Sequence, residues 1–181
     1  MTILLFGVSN VGKSVAGKLL AERLNYNFYD IDEAIKIRLN TTLESFVSTG
    51  TLYERDQIRC DIIKSLLSDN ENKVIAVTPL SHMQQIQPIC SSDEILSIEL
   101  IDSVENIFDR LVFSDENDNI YKDDDYKNAH RNHYLQEIKE DLEWYGSIYA
   151  DIKYHFHISG RLPEGVVDAL ITEFHLDTEE D

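Results

Sequence analysis

Residues Gly7-Val8-Ser9-Asn10-Val11-Gly12-Lys13-Ser14 fit the pattern G-x-x-x-x-G-K-[ST], and they follow a short apolar run, Ile3-Leu4-Leu5-Phe6, that reads as a buried strand. Glycines at both ends let the backbone close into a cup whose N–H groups point inward at an anion. Lys13 adds a mobile ammonium for the outer phosphates and Ser14 a hydroxyl for Mg²⁺. The helix that begins near Lys13 aims its positive end at the same place, and Ala16, Leu19, Leu20 and Leu24 give it an apolar stripe. The chain is therefore read as a binder of nucleotide phosphates, with Gly7, Asn10, Val11, Gly12, Lys13, Ser14 and Val15 as contacts.

A length of 181 residues suits one α/β domain over 1–181, with no linker and a core that needs no disulfides. Cys60 and Cys90 have neither metal-ligand nor redox spacing and are expected to be reduced packing thiols. The N-terminal apolar run is too short for a signal peptide and no later stretch is long enough to span a bilayer, so a cytoplasmic protein is expected. A formal net charge of −18 repels nucleic-acid backbones and anionic membranes, which sets both aside as partners. The same field opposes ATP, so the site needs a local concentration of positive charge.

Strand candidates at 26–29, 74–77, 95–101 and 152–158 join the first strand, and helical spacings lie between them. This alternation predicts a three-layer α/β/α fold around a central parallel sheet of about five strands, with ligands at the strands' carboxyl ends. Asp30 and Asp32 follow the second strand and are expected on one side of an extended segment. The polar, acidic stretch 114–127 has no apolar period and reads as a lid over approximately 113–128; residues 177–181 read as a flexible acidic tail. A long helix carries the stripe Leu135, Ile138, Leu142, Tyr145 and Tyr149, and Trp144 is expected to pack in the core with the two tyrosines.

Together with the phosphate loop, the segment Phe28-Tyr29-Asp30-Ile31-Asp32 resembles the shikimate kinase family of phosphate-loop kinases. The resemblance implies that Asp30 supports Mg²⁺ and that Asp32 holds the acceptor hydroxyls. It also implies a basic acceptor contact at Arg38, a carboxylate-binding arginine at Arg55, five residues after Gly50, and a nucleotide-base contact at Arg110. Ser159-Gly160-Arg161 falls where such kinases wrap the adenine. Three family features have no counterpart. Thr78-Pro79-Leu80 replaces three glycines, the lid brings no arginine-proline pair, and Leu142, Glu143 and Trp144 stand near the position of a second substrate arginine.

Read from the residues alone, Asp30 and Asp32 are suited to Mg²⁺ support and to alignment of an attacking hydroxyl, with Asp32 as candidate base. Arg55 is either a guanidinium fork for a carboxylate or a partner in surface pairs with Glu54 and Asp56, and the same choice holds for Arg38. Lys122, Lys127, His130 and Arg131 are the lid-region cations able to replace the missing arginine, while His130 and His133 lack a third metal ligand. The expected activity is Mg²⁺-dependent transfer of the γ-phosphoryl group of ATP to a small-molecule hydroxyl by a monomer, with Lys13 and Asp32 as catalytic residues. The acceptor is shikimate or another polyol, sugar acid or nucleoside monophosphate. The competing expectation is a nucleotide-binding regulatory protein that has lost efficient transfer.

Overall fold

Ile3, Leu4, Leu5 and Phe6 are completely buried, and this continuous apolar run forms the middle strand of a parallel sheet covered on both faces. The computed structural model describes residues 1–176; the expected acidic tail at 177–181 lies outside the described residues. In chain order the elements are β1 (Thr2–Phe6), α1 (Lys13–Leu24), β2 (Asn27–Asp30), α2 (Ile31–Leu39), α3 (Leu43–Val47), α4 (Leu52–Leu66), β3 (Lys73–Ala76), α5 (Gln87–Cys90), β4 (Ile95–Ile101), α6 (Val104–Arg110), β5 (Phe113–Ser114), β6 (Ile120–Tyr121), α7 (Asp124–Ala129), α8 (Arg131–Ile148), β7 (Tyr154–His157) and α9 (Pro163–Phe174). Five strands pair in the order β2-β3-β1-β4-β7, every pair parallel, with Leu4 opposite Ile75 on one side and Ser97 on the other.

The two-residue period of β1 divides the core between the two faces. Ile3 and Leu5 pack with Leu20 and Leu24 of α1 and Leu170 of α9, whereas Leu4 and Phe6 pack with Ile35 of α2 and Ile62 and Ile63 of α4. Because all five strands run the same way, their carboxyl ends open on one edge. The phosphate loop follows β1, Asp30 ends β2, Thr78 and Pro79 follow β3, Asp102 follows β4, and Ser159-Gly160 follow β7.

Two sequence expectations change, at the Asp30–Asp32 segment and at Trp144. The chain turns helical at Ile31, so Asp30 is the N-cap of α2 and Asp32 lies in its first turn; the two do not share an extended segment. The acidic stretch 114–127 is built: β5 and β6 form an antiparallel hairpin, and the Phe113 ring meets Tyr121, Tyr126 and Tyr134, each at 5.8 Å between centroids. Trp144 is 59% exposed, whereas Tyr149 is fully buried and Tyr145 half-buried. No helix among the described residues is long and apolar enough to cross a membrane.

The first loop glycine is required by contact as well as by conformation. Gly7 has φ +135°, and a Cβ there would lie 2.6 Å from the Leu100 carbonyl oxygen of the neighbouring strand. Gly12, at φ +110°, faces open space. Gly7→Ala is expected to cost about 3 kcal/mol and Gly12→Ala about 1 kcal/mol, measured by urea denaturation, since only the first adds a backbone clash to the φ strain. Cys60 and Cys90 are buried and unpaired, and burial pushes both thiols up to about 11. At neutral pH both thiols are protonated and out of reach, so Ellman's reagent should find no reactive cysteine in the native protein and two after unfolding.

Candidate active site

A cavity of about 840 Å³ lies along the carboxyl edge of the sheet, with the phosphate loop as its floor. Asn10, Val11, Gly12, Lys13, Ser14 and Val15 all line it, as do Asp30, Asp32, Thr78 and Pro79 on one side and Asn106, Arg110, Gly160 and Arg161 on the other. Gly7 is set back against Leu100 and shapes the loop from behind. Helix α1 begins at Gly12 with no side-chain cap and no acidic residue in its first turn, which leaves its amides and its positive end for an anion.

Lys13 is buried with its Nζ donating to the carbonyls of Gly7 at 2.9 Å and Val8 at 2.8 Å. Burial lowers its pKa to about 8, against the opposing pull of Asp32 and Asp30. The ammonium is thus weakly solvated and held by neutral acceptors that a polyphosphate can displace. Beside it, Ser14 Oγ donates to Asp30 Oδ2 at 2.5 Å, and Asp30 Oδ1 accepts from the Asp32 amide at 2.9 Å. A hydroxyl paired with one carboxylate at an uncapped helix start is a donor set suited to Mg²⁺ shared with substrate phosphates. Asp32 has its pKa raised by burial and by the neighbouring Asp30, opposed by a Thr78 hydrogen bond and by the charges of Arg59 and Lys13.

The far end of the cavity is organised by Asp102. Its side chain accepts from the Ser103 amide at 2.9 Å, Asn106 Nδ2 at 2.8 Å and the Gly160 amide at 3.2 Å, and it forms an ion pair with Arg110. These bonds fasten α6 to the turn after β7 and set Arg110 on the cavity wall. Burial works against the Asp102 carboxylate, but the Asn106, Arg110 and Ser103 hydrogen bonds outweigh it and hold the pKa below the ordinary value.

Arg38 and Arg55 are not brought to this cavity. Arg38 is exposed in the last turn of α2, and Arg55 Nη1 turns back to the carbonyls of Thr49 and Gly50, both at 3.0 Å. The inward-facing guanidinium of α4 belongs to Arg59, which sequence reading passed over. Arg59 Nη1 lies 2.9 Å from Asp56 Oδ1, and Asp56 is completely buried. The other Asp56 oxygen accepts from the Ser81 and His82 amides at 3.1 Å each and pairs with His82 Nδ1 at 2.8 Å. The signal was position along the helix: Arg55 lies in the first turn of α4, where it turns back to the preceding loop, and Arg59 lies one turn deeper among buried Asp56, Cys60, Ile62 and Ile63.

Of the lid-region cations, only Lys122 lines the cavity. Lys127 is buried against the Asp109 carbonyl and Asp124, Arg131 covers the Phe108 ring at 4.5 Å, and His130 faces the Tyr126 carbonyl at 2.9 Å. His133 pairs with Glu137, and no group of three metal-binding side chains occurs among the described residues.

A family model described as Shikimate kinase matches residues 9–173. The chain belongs to the shikimate kinase family. The shikimate kinase of Aquifex aeolicus is 38% identical over 77 residues, so the match spans 42% of the chain and less than half, 45%, of that relative. The shikimate kinase of Persephonella marina is 28% identical over 171 residues, which cover 93% of the chain and 96% of the relative. The solved shikimate kinase of Bacteroides thetaiotaomicron shares the fold, with a TM-score of 0.74 over 97% of the chain and 98% of that structure at 21% identity. Shikimate kinases are small-molecule kinases, and the three-layer sheet with its phosphate loop is their architecture. Where the family has glycines after the third strand, this member has Thr78 and Pro79 on the cavity wall, and the Leu80 amide is bound by the Tyr149 hydroxyl at 2.9 Å.

The two arginines of α4 should separate cleanly in urea denaturation. Arg59→Ala leaves the Asp56 carboxylate buried without its cation and is expected to cost about 3 to 5 kcal/mol. Arg55→Ala removes only hydrogen bonds to two loop carbonyls and is expected to cost about 1 kcal/mol.

Proposed function

We propose that this protein transfers the γ-phosphoryl group of ATP to a hydroxyl of a small molecule in a Mg²⁺-dependent reaction. The observation that carries the proposal is the convergence, in one cavity, of the uncapped α1 terminus, the desolvated Lys13, the Ser14–Asp30 pair and Asp32. Ser14 and Asp30 would hold the metal, which would supply positive charge against the charge that builds on the phosphates. Lys13 leaves the Gly7 and Val8 carbonyls for the β- and γ-phosphates, exchanging neutral partners for anionic ones.

Asp32 aligns the acceptor hydroxyl and takes its proton as the new O–P bond forms. A carboxylate with a raised pKa is a better proton acceptor than an ordinary one, and its amide tie to Asp30 fixes the turn that carries it. Lys122 faces the transferring group from the hairpin and takes the role that a lid arginine has in the family. Arg110 and Arg161, with the Gly160 turn, hold the nucleoside end. Catalysis then rests on positioning and on charge stabilisation. On the same reading the enzyme works as a cytoplasmic monomer whose partners are ATP and its acceptor.

A second reading has one observation in its favour: no arginine of the hairpin or of α7 reaches the cavity, and loss of such a contact costs phosphoryl transfer about 10³- to 10⁵-fold in related enzymes. A nucleotide-binding regulator would bind Mg-ATP tightly and show no acceptor-stimulated ADP release.

A coupled ADP-release assay decides. Lys13→Ala should lower turnover to roughly a thousandth or less with an unchanged circular dichroism spectrum, and retained turnover would contradict the proposal. Lys122→Ala should lower kcat about 10²- to 10³-fold while the KM for ATP stays within about threefold, whereas Lys127→Ala should have little effect.

A further inference from the structure

The loop that lines the cavity with Thr78 and Pro79 continues into Ser81 and His82, and this dipeptide is held by one buried carboxylate. Asp56 receives both of its amides and the His82 ring. Two exposed aromatic side chains flank the same dipeptide. Trp144 Nε1 donates to Ser81 Oγ at 3.4 Å, and the Tyr53 ring meets the His82 ring edge-on at 5.2 Å. Trp144 and Tyr53 are 59% and 53% exposed, so their faces are open although their positions are fixed.

Charge on this side of the cavity runs against an anionic ligand. Arg59 is the inward-facing guanidinium, and it stands between two carboxylates, Asp56 in direct contact and Asp32 close enough to feel its field. Arg59 thus divides its charge between two carboxylates, and Lys13 also acts on Asp32. Arg55 is committed to the Thr49 and Gly50 carbonyls and Lys36 to Glu33, while Asp141 of α8 and Asp56 both act on Tyr145. A carboxylate on the acceptor would compete with Asp56 and Asp32 for the Arg59 guanidinium.

We propose that the acceptor is an uncharged ring compound bearing several hydroxyls, of the cyclitol, sugar or nucleoside kind, resting on Trp144 and Tyr53 with one hydroxyl at Asp32. The assignment rests on the phosphotransferase reading above and names its substrate class. Aromatic faces and carboxylates together suit polyols: the ring's C–H faces lie on the aromatic surface and its hydroxyls donate to the acids. Transfer breaks the bond between the γ-phosphorus and the bridging oxygen of ATP and forms one to the acceptor oxygen, whose proton passes to Asp32. The products are ADP and an acceptor phosphate.

Trp144 is the chain's single tryptophan, so intrinsic fluorescence reports on this position alone. The wild-type protein with Mg-ADP is titrated with myo-inositol, glucose, ribose and adenosine on one arm and with shikimate, gluconate and AMP on the other. The same compounds are tested for ADP release with Mg-ATP. At least one uncharged compound is expected to shift the emission saturably and to stimulate ADP release, and which of them does so separates cyclitol, sugar and nucleoside. With that compound, Trp144→Ala and Tyr53→Ala should raise the acceptor KM roughly tenfold, Trp144→Phe should restore most of it, and the KM for ATP should not move. The assignment is overturned if shikimate, gluconate or AMP acts as strongly as the best uncharged compound, or if no uncharged compound acts in either assay. Calorimetry with Mg-ATP keeps the two readings apart. Binding of Mg-ATP with a preference for a charged acceptor removes only the substrate class, whereas no Mg-ATP binding removes the phosphotransferase and the substrate class together.

Discussion

The carboxylate of Asp30 joins the two halves of the site. One oxygen takes the Ser14 hydroxyl at the head of α1, and the other takes the Asp32 amide and so caps α2. A single side chain thereby fixes the spacing between the phosphate loop and Asp32, and it does so from the end of a strand whose register with β3 is set by four residue pairs. N-caps of this kind contribute about 1 kcal/mol to a helix. Here the larger consequence is geometric: on the proposed function, a nucleotide at α1 and an acceptor at α2 would react only if those two helix starts keep their separation.

Electrostatics sharpen the division of labour. The chain as a whole carries −18, yet the nucleotide side of the cavity gathers Lys13, Arg110, Arg161 and Lys122 around an uncapped helix start. The acceptor side gathers Asp32 and, behind it, the Asp56–Arg59 pair. Burial lowers the Lys13 pKa and raises that of Asp32, so the site works against the charged form of each. Asp102 serves the nucleotide side much as Asp30 serves the centre: one buried carboxylate collects donors from α6 and the turn after β7, and Arg110 cannot leave the wall without breaking that network.

The sheet and its phosphate loop were legible because both are written in backbone terms. A parallel strand buried on both faces must be a continuous apolar run such as Ile3 to Phe6, and the loop needs glycine where Gly7 nearly touches Leu100. The surroundings of Asp32 were harder because they depend on where along a helix each side chain lies. Arg55 and Arg59 are i, i+4 neighbours on one face, and what separates them is depth: Arg55 sits in the first turn and bonds the preceding loop, whereas Arg59 sits one turn further in beside Asp56. Phase governs Trp144, which lies one residue off the stripe of Leu142 and Tyr145 and is exposed for that reason. Asp30 was readable as an acid near the loop, but its role as a helix cap depended on α2 starting one residue later.

The hairpin of β5 and β6 was illegible for a different reason: it is held by contacts distant in sequence. Phe113 rests on Tyr134 of α8, and Asp118 at the turn accepts from the Leu43 amide, the first residue of α3, at 2.7 Å. No local period announces either contact. The same tie links the hairpin to the acceptor side of the molecule. Ile120 and Lys122 enter the cavity from the arm just beyond Asp118, so withdrawing them entails breaking the bond to α3 or bending the hairpin between its two anchors. The cation that faces the phosphates and the helix that covers Arg59 with Phe46 are therefore mechanically connected, and a hairpin seated on α3 is the state in which all the proposed contacts are available at once.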